Sequence, residues 1–476
     1  TQLECNQANA NFGFAVAGAG DVNGDGYGDV VVGADFYDNG QLDEGALFVY
    51  QGSATGILNT PVRRMESDQA GARLGYAVAS AGDINGDGYA DVVAGAPYFD
   101  NNENDEGAAF TYHGDSAGII TTFSHRIESN QVGALLGGSV ASAGDVNGDG
   151  KSDVIVGAIA YDQGQTDEGA AFVHHGSVLG INVVAATVLE MNQPNANMGQ
   201  DVASAGDVNG DGFSDVIVGA SRYDNGQTDE GAAFVYYGTA GGINPVLGGM
   251  LECNQAAANM GFSVSAAGDL IGDGYGDVVV GADKFGNGQA TEGAAFVFDG
   301  SPNGILTNFS ASMESNQAGA QLGQSVAAAG DVNGDGYSDL VIGALNYDNG
   351  QTDEGTAMVF VGNGGQGRRV LCQQRRVGGP QAVGPGGLTG TVGQARFTMV
   401  AKSFLGRQDG VLAWEVVQNG DPFSSAGGFV SNSLAATGMG TIYTPLAATG
   451  TAFSQIVSGF NTQLDYKWRV RVRYKL

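Results

Sequence analysis

The sequence predicts an all-β protein, a β-propeller of six four-stranded blades followed by a C-terminal β-sandwich. Three observations carry that expectation. A 62-residue unit recurs six times, each copy marked by an acidic loop: DVNGDGYGD from Asp21, DINGDGYAD from Asp83, DVNGDGKSD from Asp145, DVNGDGFSD from Asp207, DLIGDGYGD from Asp269 and DVNGDGYSD from Asp331. Each unit offers four short β-prone runs and no stretch of helical period. Charge then divides the chain, because 12 of the 19 Lys and Arg lie from Arg368 onward, with only 4 of the 51 Asp and Glu. An acidic repeat domain, 1–371, is therefore expected before a basic domain, 372–476.

The fourth unit shows the plan of a blade. DVASAG and DVIVGA flank the acidic loop, GAAFVYYG follows YDNGQTDE, and a run ending in Leu-Glu or Met-Glu closes the unit. YDNG carries the Asn-Gly signal of a tight hairpin, where positive φ is needed. Runs such as VIVGA are apolar on both faces, as in a strand held between neighbouring sheets. One such sheet cannot bury two apolar faces alone, and a ring of them can.

Composition limits the partners. Glycine is abundant, 82 of 476 residues, but 42% of the chain is hydrophobic, which indicates a turn-rich folded protein. A net charge of −32 repels nucleic acid and anionic lipid. No apolar run is long enough to span a bilayer, so direct membrane insertion is not expected. No secretory leader is read at the start, so the sequence is taken as a mature form or a piece of a longer one. Cys5, Cys253 and Cys372 make neither a disulfide framework nor a metal-binding spacing. The four histidines, His113, His125, His174 and His175, fall at unmatched positions and read as strand substitutions. With no catalytic or phosphate-binding motif, an enzyme is not expected.

The acidic loop has the chemistry of a cation site. In the pattern DxNxDGxxD, side-chain oxygens at positions 1, 3, 5 and 9 and a backbone carbonyl at position 7 converge, and glycine at position 6 permits the turn. All-oxygen ligation selects a hard ion, and a flexible loop favours Ca²⁺ over Mg²⁺. The expected ligands are Asp21, Asn23, Asp25, Tyr27 and Asp29 in the first unit and Asp83, Asn85, Asp87, Tyr89 and Asp91 in the second. The third offers Asp145, Asn147, Asp149, Lys151 and Asp153, and the fourth Asp207, Asn209, Asp211, Phe213 and Asp215. The sixth offers Asp331, Asn333, Asp335, Tyr337 and Asp339. In the fifth, Ile271 replaces asparagine and leaves Asp269, Asp273, Tyr275 and Asp277, so five strong sites and a weaker sixth are expected. Three carboxylates without a cation repel at roughly 1 to 4 kcal/mol per contacting pair. Position 12 is Val32, so the loop is not an EF-hand, which needs glutamate there.

The pairs Phe12-Gly13, Leu74-Gly75, Gly137-Gly138, Met198-Gly199, Met260-Gly261 and Leu322-Gly323 are each followed about twenty residues on by Gly-Ala, at Gly33-Ala34, Gly95-Ala96, Gly157-Ala158, Gly219-Ala220, Gly281-Ala282 and Gly343-Ala344. Over roughly residues 1–370 this resembles the FG-GAP repeats of integrin α-subunit propellers and bacterial surface proteins. The resemblance implies β-hairpin calcium loops, an extracellular, secreted or cell-surface location, and a broad face for a protein or glycan ligand. The integrin propeller has seven repeats and this chain has six, so six blades are expected rather than seven. LECNQ at the start matches an end-of-unit run, and VLCQQ, Val370 to Gln374, falls near the seventh such run. The first and last strands are thus expected to meet in one blade, with Cys5 and Cys372 either near one another or as buried free thiols.

A second repeated acidic element is the DNGQTDEG loop, with Asp43-Glu44, Asp105-Glu106, Asp167-Glu168, Asp229-Glu230, Glu292 and Asp353-Glu354. It reads first as a hairpin whose glutamate caps backbone amides, and second as a further cation or ligand site. In the basic domain, KWRVRVRYK alternates apolar and cationic residues as a half-buried strand does. Further strand-like runs cover Ala395 to Ser403, Val411 to Gln418 and Ala452 to Val457. GFNTQLDYKWRV resembles the approach to the sixth strand of a fibronectin type III domain, with Tyr466 as its corner tyrosine. The chain stops just after that strand, so such a sandwich is incomplete or completed by another chain. The expected function is adhesion or extracellular assembly, with self-association head to tail, and the alternatives are a calcium-dependent lectin and an accessory module of a larger secreted protein.

Overall fold

A computed structural model describes residues 1–333 and 337–362, together with the backbone of the strands Val370–Arg375, Gln394–Ala401, Asp409–Gln418, Thr437–Met439, Thr444–Pro445, Thr451–Ser458 and Tyr466–Tyr474. The repeat region is a series of antiparallel β-sheets of the propeller type. In the first unit β1 (Val16–Gly20), β2 (Asp29–Ala34), β3 (Ala46–Tyr50) and β4 (Arg63–Glu66) pair in that order. Units two to five repeat the same four-stranded order, and the fifth does so despite Ile271. The sixth unit forms a three-stranded sheet of Leu322–Gly330, Asp339–Ala344 and Thr356–Phe360. Among the described residues no helix is long and apolar enough to cross a membrane.

The two-faced apolar pattern of β2 and β3 has the packing predicted for it. Val31, Leu47 and Val49 of the first unit share one core with Val78, Ala94 and Phe110 of the second, while Val32, Phe48 and Tyr50 lie in a separate core on the other side. The Gly-Ala pair is where consecutive units meet. A Cβ on Gly33 would overlap the carbonyl oxygen of Gly75, and the same holds for Gly95 with Gly137, Gly157 with Gly199, Gly219 with Gly261 and Gly281 with Gly323. Parallel bridges such as Gly45 to Leu74 and Gly107 to Leu136 lie beside these contacts. Glycine is therefore required because backbone packs on backbone there.

This joint is made five times, and the ends of the series do not complete a sixth. A Cβ on Gly343 would meet nothing nearer than Ser325 at 3.6 Å, and one on Gly13 would meet nothing within 4 Å. Val16 is 64% exposed, whereas its counterparts Val78, Val140, Val202, Val264 and Val326 are 3–8% exposed. Val359 is 56% exposed against 0–4% for Val49, Val173, Val235 and Val297. Closure between the first and last strands is thus not present among the described residues. Leu3, Cys5 and Phe12 instead pack on the first unit's own Phe48 and Tyr50, as each inter-unit segment does, and Cys5 is a free thiol.

Val370–Arg375 departs from the expected closing strand. It pairs with Gln394–Ala401, which pairs in turn with Thr451–Ser458, so the C-terminal part begins before the expected boundary at 371. A second sheet joins Asp409–Gln418 to Tyr466–Tyr474, Thr437–Met439 and Thr444–Pro445. The four longest C-terminal strands coincide with the four strand-like runs of the sequence. The Cys372 side chain lies outside the described residues.

Candidate metal centres

The acidic loop joins β1 to β2 at one end of each sheet, and its form follows from short polar side chains bonding to nearby backbone. In the first unit Asp21 accepts the amides of Asp25 at 3.0 Å and Gly26 at 2.7 Å, Asn23 accepts Asp25 at 3.0 Å, and Asp25 accepts Tyr27 at 2.9 Å. Asp83, Asp87 and Asn85 repeat this in the second unit. So do Asp145, Asn147 and Asp149 in the third, with the Lys151 amide as donor. Asp207, Asn209 and Asp211 do so in the fourth, with Phe213 as donor. In the fifth, Asp269 accepts Gly272, Asp273 and Gly274, and Asp273 accepts Tyr275, without help from position 271. Asp331, Asn333 and Tyr337 of the sixth loop are described, and Asp335 lies outside the described residues.

The ninth-position aspartate has a different role from the rest. Asp29 begins β2, is buried, and accepts Val22 N at 2.9 Å with one oxygen and Gly52 N at 2.7 Å with the other. Asp91 holds Ile84 and Gly114, Asp153 holds Val146 and Gly176, Asp215 holds Val208 and Gly238, Asp277 holds Leu270 and Gly300, and Asp339 holds Val332 and Gly362. Each ties its loop to the chain leaving β3 or its counterpart. Burial, reinforced by the neighbouring loop carboxylates, pushes the Asp29 carboxyl up to about 6, Asp91 and Asp215 to about 8, and Asp153 to about 7. Burial raises Asp277 to about 7 as well. Asp83, Asp145 and Asp269 are raised in the same direction by burial.

The loops are also linked to one another. Ala90 N donates to Asp21 O at 3.1 Å, Ser152 N to Asp83 O at 2.9 Å, Ser214 N to Asp145 O at 3.0 Å, Gly276 N to Asp207 O at 2.9 Å and Ser338 N to Asp269 O at 3.1 Å. The position-seven side chain covers the preceding loop, since a Cβ on Gly24, Gly210 or Gly272 would press on the ring of Tyr89, Tyr275 or Tyr337. Sequence reasoning missed these links, and it missed the glycine 23 residues after each ninth aspartate. The signal for the glycine was its fixed place in all six units. Among the described residues, three acidic side chains bring one oxygen each within 4.8 Å of one another at Glu44, Glu66 and Asp68, and not within the Asp21–Asp29 loop.

Five stretches, 12–50, 74–112, 137–174, 198–236 and 322–367, match the FG-GAP repeat. The first four units and the sixth thus resemble FG-GAP repeats. It is 37% identical over 156 residues to integrin alpha-4 of Xenopus laevis, covering 32% of this chain and 14% of that protein. It is 34% identical over 231 residues to integrin alpha pat-2 of Caenorhabditis elegans, covering 45% and 18%, and 32% identical over 219 residues to integrin alpha-V of Gallus gallus, covering 44% and 20%. The chain thus spans a fifth or less of the length of these relatives. Among solved structures it is similar to the alpha-L-arabinanase of Penicillium chrysogenum complexed with arabinobiose, at 11% identity and a TM-score of 0.42, over 73% of this chain and 92% of that one.

At the opposite end of each unit lies the DNGQTDEG loop. It is eleven residues long in the first unit, not the tight two-residue hairpin that Asn-Gly suggested: Gly40 and Gly45 take positive φ, and so does Asp43. The glutamate does cap backbone, with Glu44 Oε1 accepting Asn39 N at 2.5 Å and Glu106 and Glu230 accepting Asn101 and Asn225. The histidines sit within or beside strands. His174 is buried, its Nδ1 bonds to Asn182 O at 2.9 Å, and burial pushes it down to about 4.

Proposed function

We propose that the chain is a non-enzymatic, calcium-stabilised scaffold of an extracellular or cell-surface adhesion protein, whose FG-GAP face receives a protein ligand. The observation that carries this reading is the chain of acidic loops. Each of the first five loops presents all-oxygen donors, Asp, a backbone carbonyl and, except in the fifth, Asn, on a frame tied to the next loop by a backbone hydrogen bond. The donor set fits a hard divalent ion. Asp21, Asn23, Asp25, the Tyr27 carbonyl and Asp29 would hold it in the first unit, with the corresponding residues in the others. The amide bonds already on Asp21 and Asp29 leave further lone pairs on the same oxygens. A bound cation would supply positive charge that offsets the cost of ionising the buried ninth aspartate. Similarity to integrin α-subunits supports adhesion over catalysis.

The unfinished joint supports a reading of head-to-tail association. The exposed Val359 side of the sixth unit and the exposed Val16 side of the first are the two halves of a contact the chain makes five times internally. Burying such a valine contributes about 1.5–3 kcal/mol, and a heterologous contact of this kind propagates. Electron microscopy and sedimentation with and without calcium test both parts. The expected result is ordered, associating particles in calcium and looser ones in chelator. Particles of unchanged shape in chelator would overturn the calcium role, and monomers at low salt and physiological calcium would overturn the association.

A further inference from the structure

We propose that Glu44, Glu66 and Asp68 form a binding site for a hard divalent cation, at the end of the first sheet opposite the Asp21–Asp29 loop. Glu44 lies two residues before Ala46, the start of β3, Glu66 ends β4, and the register sets Ala46 beside Glu66, so both glutamates meet at that end. Asp68 follows in a left-handed turn at φ 56°. One oxygen from each of the three lies within 4.8 Å of the others.

A second observation points to a missing partner there. Glu44 is fully buried, and while Oε1 accepts the Asn39 amide, Oε2 has no hydrogen-bond partner. Gln41 Oε1 is likewise buried and unpartnered. Buried carboxylate oxygens are not left bare without cost, about 1–3 kcal/mol or more for a charged group. The charge count matches a divalent ion. Arg64 Nε pairs with Glu66 Oε1, and Asn39 Nδ2 donates to Glu66 Oε2 at 2.8 Å, so three carboxylates and one guanidinium leave two negative charges. The three ligand atoms of the cluster are all carboxylate oxygens, which selects Ca²⁺ or a similar hard ion over zinc or copper.

The position recurs with graded chemistry. Glu106, Glu168 and Glu230 also carry an unpartnered buried Oε2, but Asn130, Asn192 and Asn254 stand where the first unit has Asp68. The first unit is therefore the tightest of the series. The rival occupant is an amide: in the fifth unit Gln289, with its amide turned over, donates to Glu292 Oε2 at 3.0 Å. The same turn of the Gln41 amide is the competing account of the Glu44 oxygen that the test must separate from an ion.

The test is equilibrium dialysis of the metal-stripped full chain against radioactive Ca²⁺, comparing wild type with Asp68→Asn and Glu44→Gln. Asp68→Asn introduces the residue four sibling units already carry, so it is expected to fold. The expected result is the loss of one bound equivalent, or at least a tenfold weaker class of one site, in both variants. If the acidic loops bind nothing, wild type retains one equivalent and Asp68→Asn none, so the two readings fail separately. Unchanged stoichiometry and affinity in Asp68→Asn would assign the Glu44 oxygen to the Gln41 amide and overturn the proposal.

Discussion

Gly95→Ala and Gly343→Ala are the same substitution at the same repeat position in two environments. At Gly95 the added methyl overlaps the Gly137 carbonyl oxygen, with the Gly137 Cα at 3.1 Å, and these are backbone atoms that no rotamer change can move. The second and third sheets must separate, loosening a core that holds Val93, Ile127, Leu136 and Val156. Overpacking costs about 1–3 kcal/mol, and a rigid backbone obstacle puts Gly95→Ala at about 3. At Gly343 the nearest atoms are Ser325 Oγ and Cβ at 3.6 and 3.7 Å, ordinary contact distances, and no positive φ is required. There alanine is neutral, or stabilising by about 0.4–1 kcal/mol through the unfolded chain. Urea denaturation followed by circular dichroism reads both, with hydrogen exchange locating the loosened units because a repeat array need not unfold in one step. Equal destabilisation by the two variants would mean that Gly343 packs on another backbone, and the open joint would be refuted.

Chelation of calcium is expected to remove about 2.7 kcal/mol of stability per site held at a hundredfold over its dissociation constant, read as a lower unfolding temperature in calorimetry. Ile271→Asn restores the missing donor in the fifth loop and is expected to add or tighten one calcium equivalent in a binding titration without changing the fold. His174, held near 4 by burial against 6.5 when unfolded, takes up its proton more readily in the unfolded chain. Stability therefore falls as pH drops from 6.5 to about 4, by about 3 kcal/mol from this residue. His174→Tyr, matching Tyr50, Tyr112 and Tyr236, is expected to remove that share in pH-dependent denaturation, and an unchanged pH profile would contradict it.

The fold was legible where one residue answers one local demand. The period placed every acidic loop, and the apolar run after the loop became a buried strand, Asp29–Ala34 in the first unit and Asp91–Ala96 in the second. Closure was not legible, because LECNQ and VLCQQ look alike as sequence while their partners are chosen by distant packing. Cys5 lies against Phe48 and Tyr50, and Val370–Arg375 pairs with Gln394–Ala401. The Asn-Gly signal misled for a related reason: Glu44, five residues after Asn39, folds back onto its amide and holds open a wider loop. The Glu44, Glu66 and Asp68 cluster was hidden as well, since 22 residues separate its two glutamates and only the β3–β4 register joins them.

The fifth loop separates what shapes an acidic loop from what is left over for a ligand. Asp269 still gathers three amides, Asp277 still bridges Leu270 to Gly300, and Ser338 N still reaches Asp269 O, all with isoleucine at position three. Positions one and nine thus have structural partners of their own, whether or not an ion is present. Asparagine at position three adds only bonds to the aspartate two residues on, as Asn23 does to Asp25, and the loop keeps its form without them. Substituting an aspartate therefore confounds loss of a ligand with collapse of a hairpin. Position three does not, and this makes Asn23, Asn85, Asn147 and Asn209, changed one at a time to isoleucine, the cleanest reporters of ion binding. Each such variant is expected to keep its sheet and lose affinity at one loop, and a set of four variants with undiminished calcium affinity would leave the loops as hairpins shaped by their own amides.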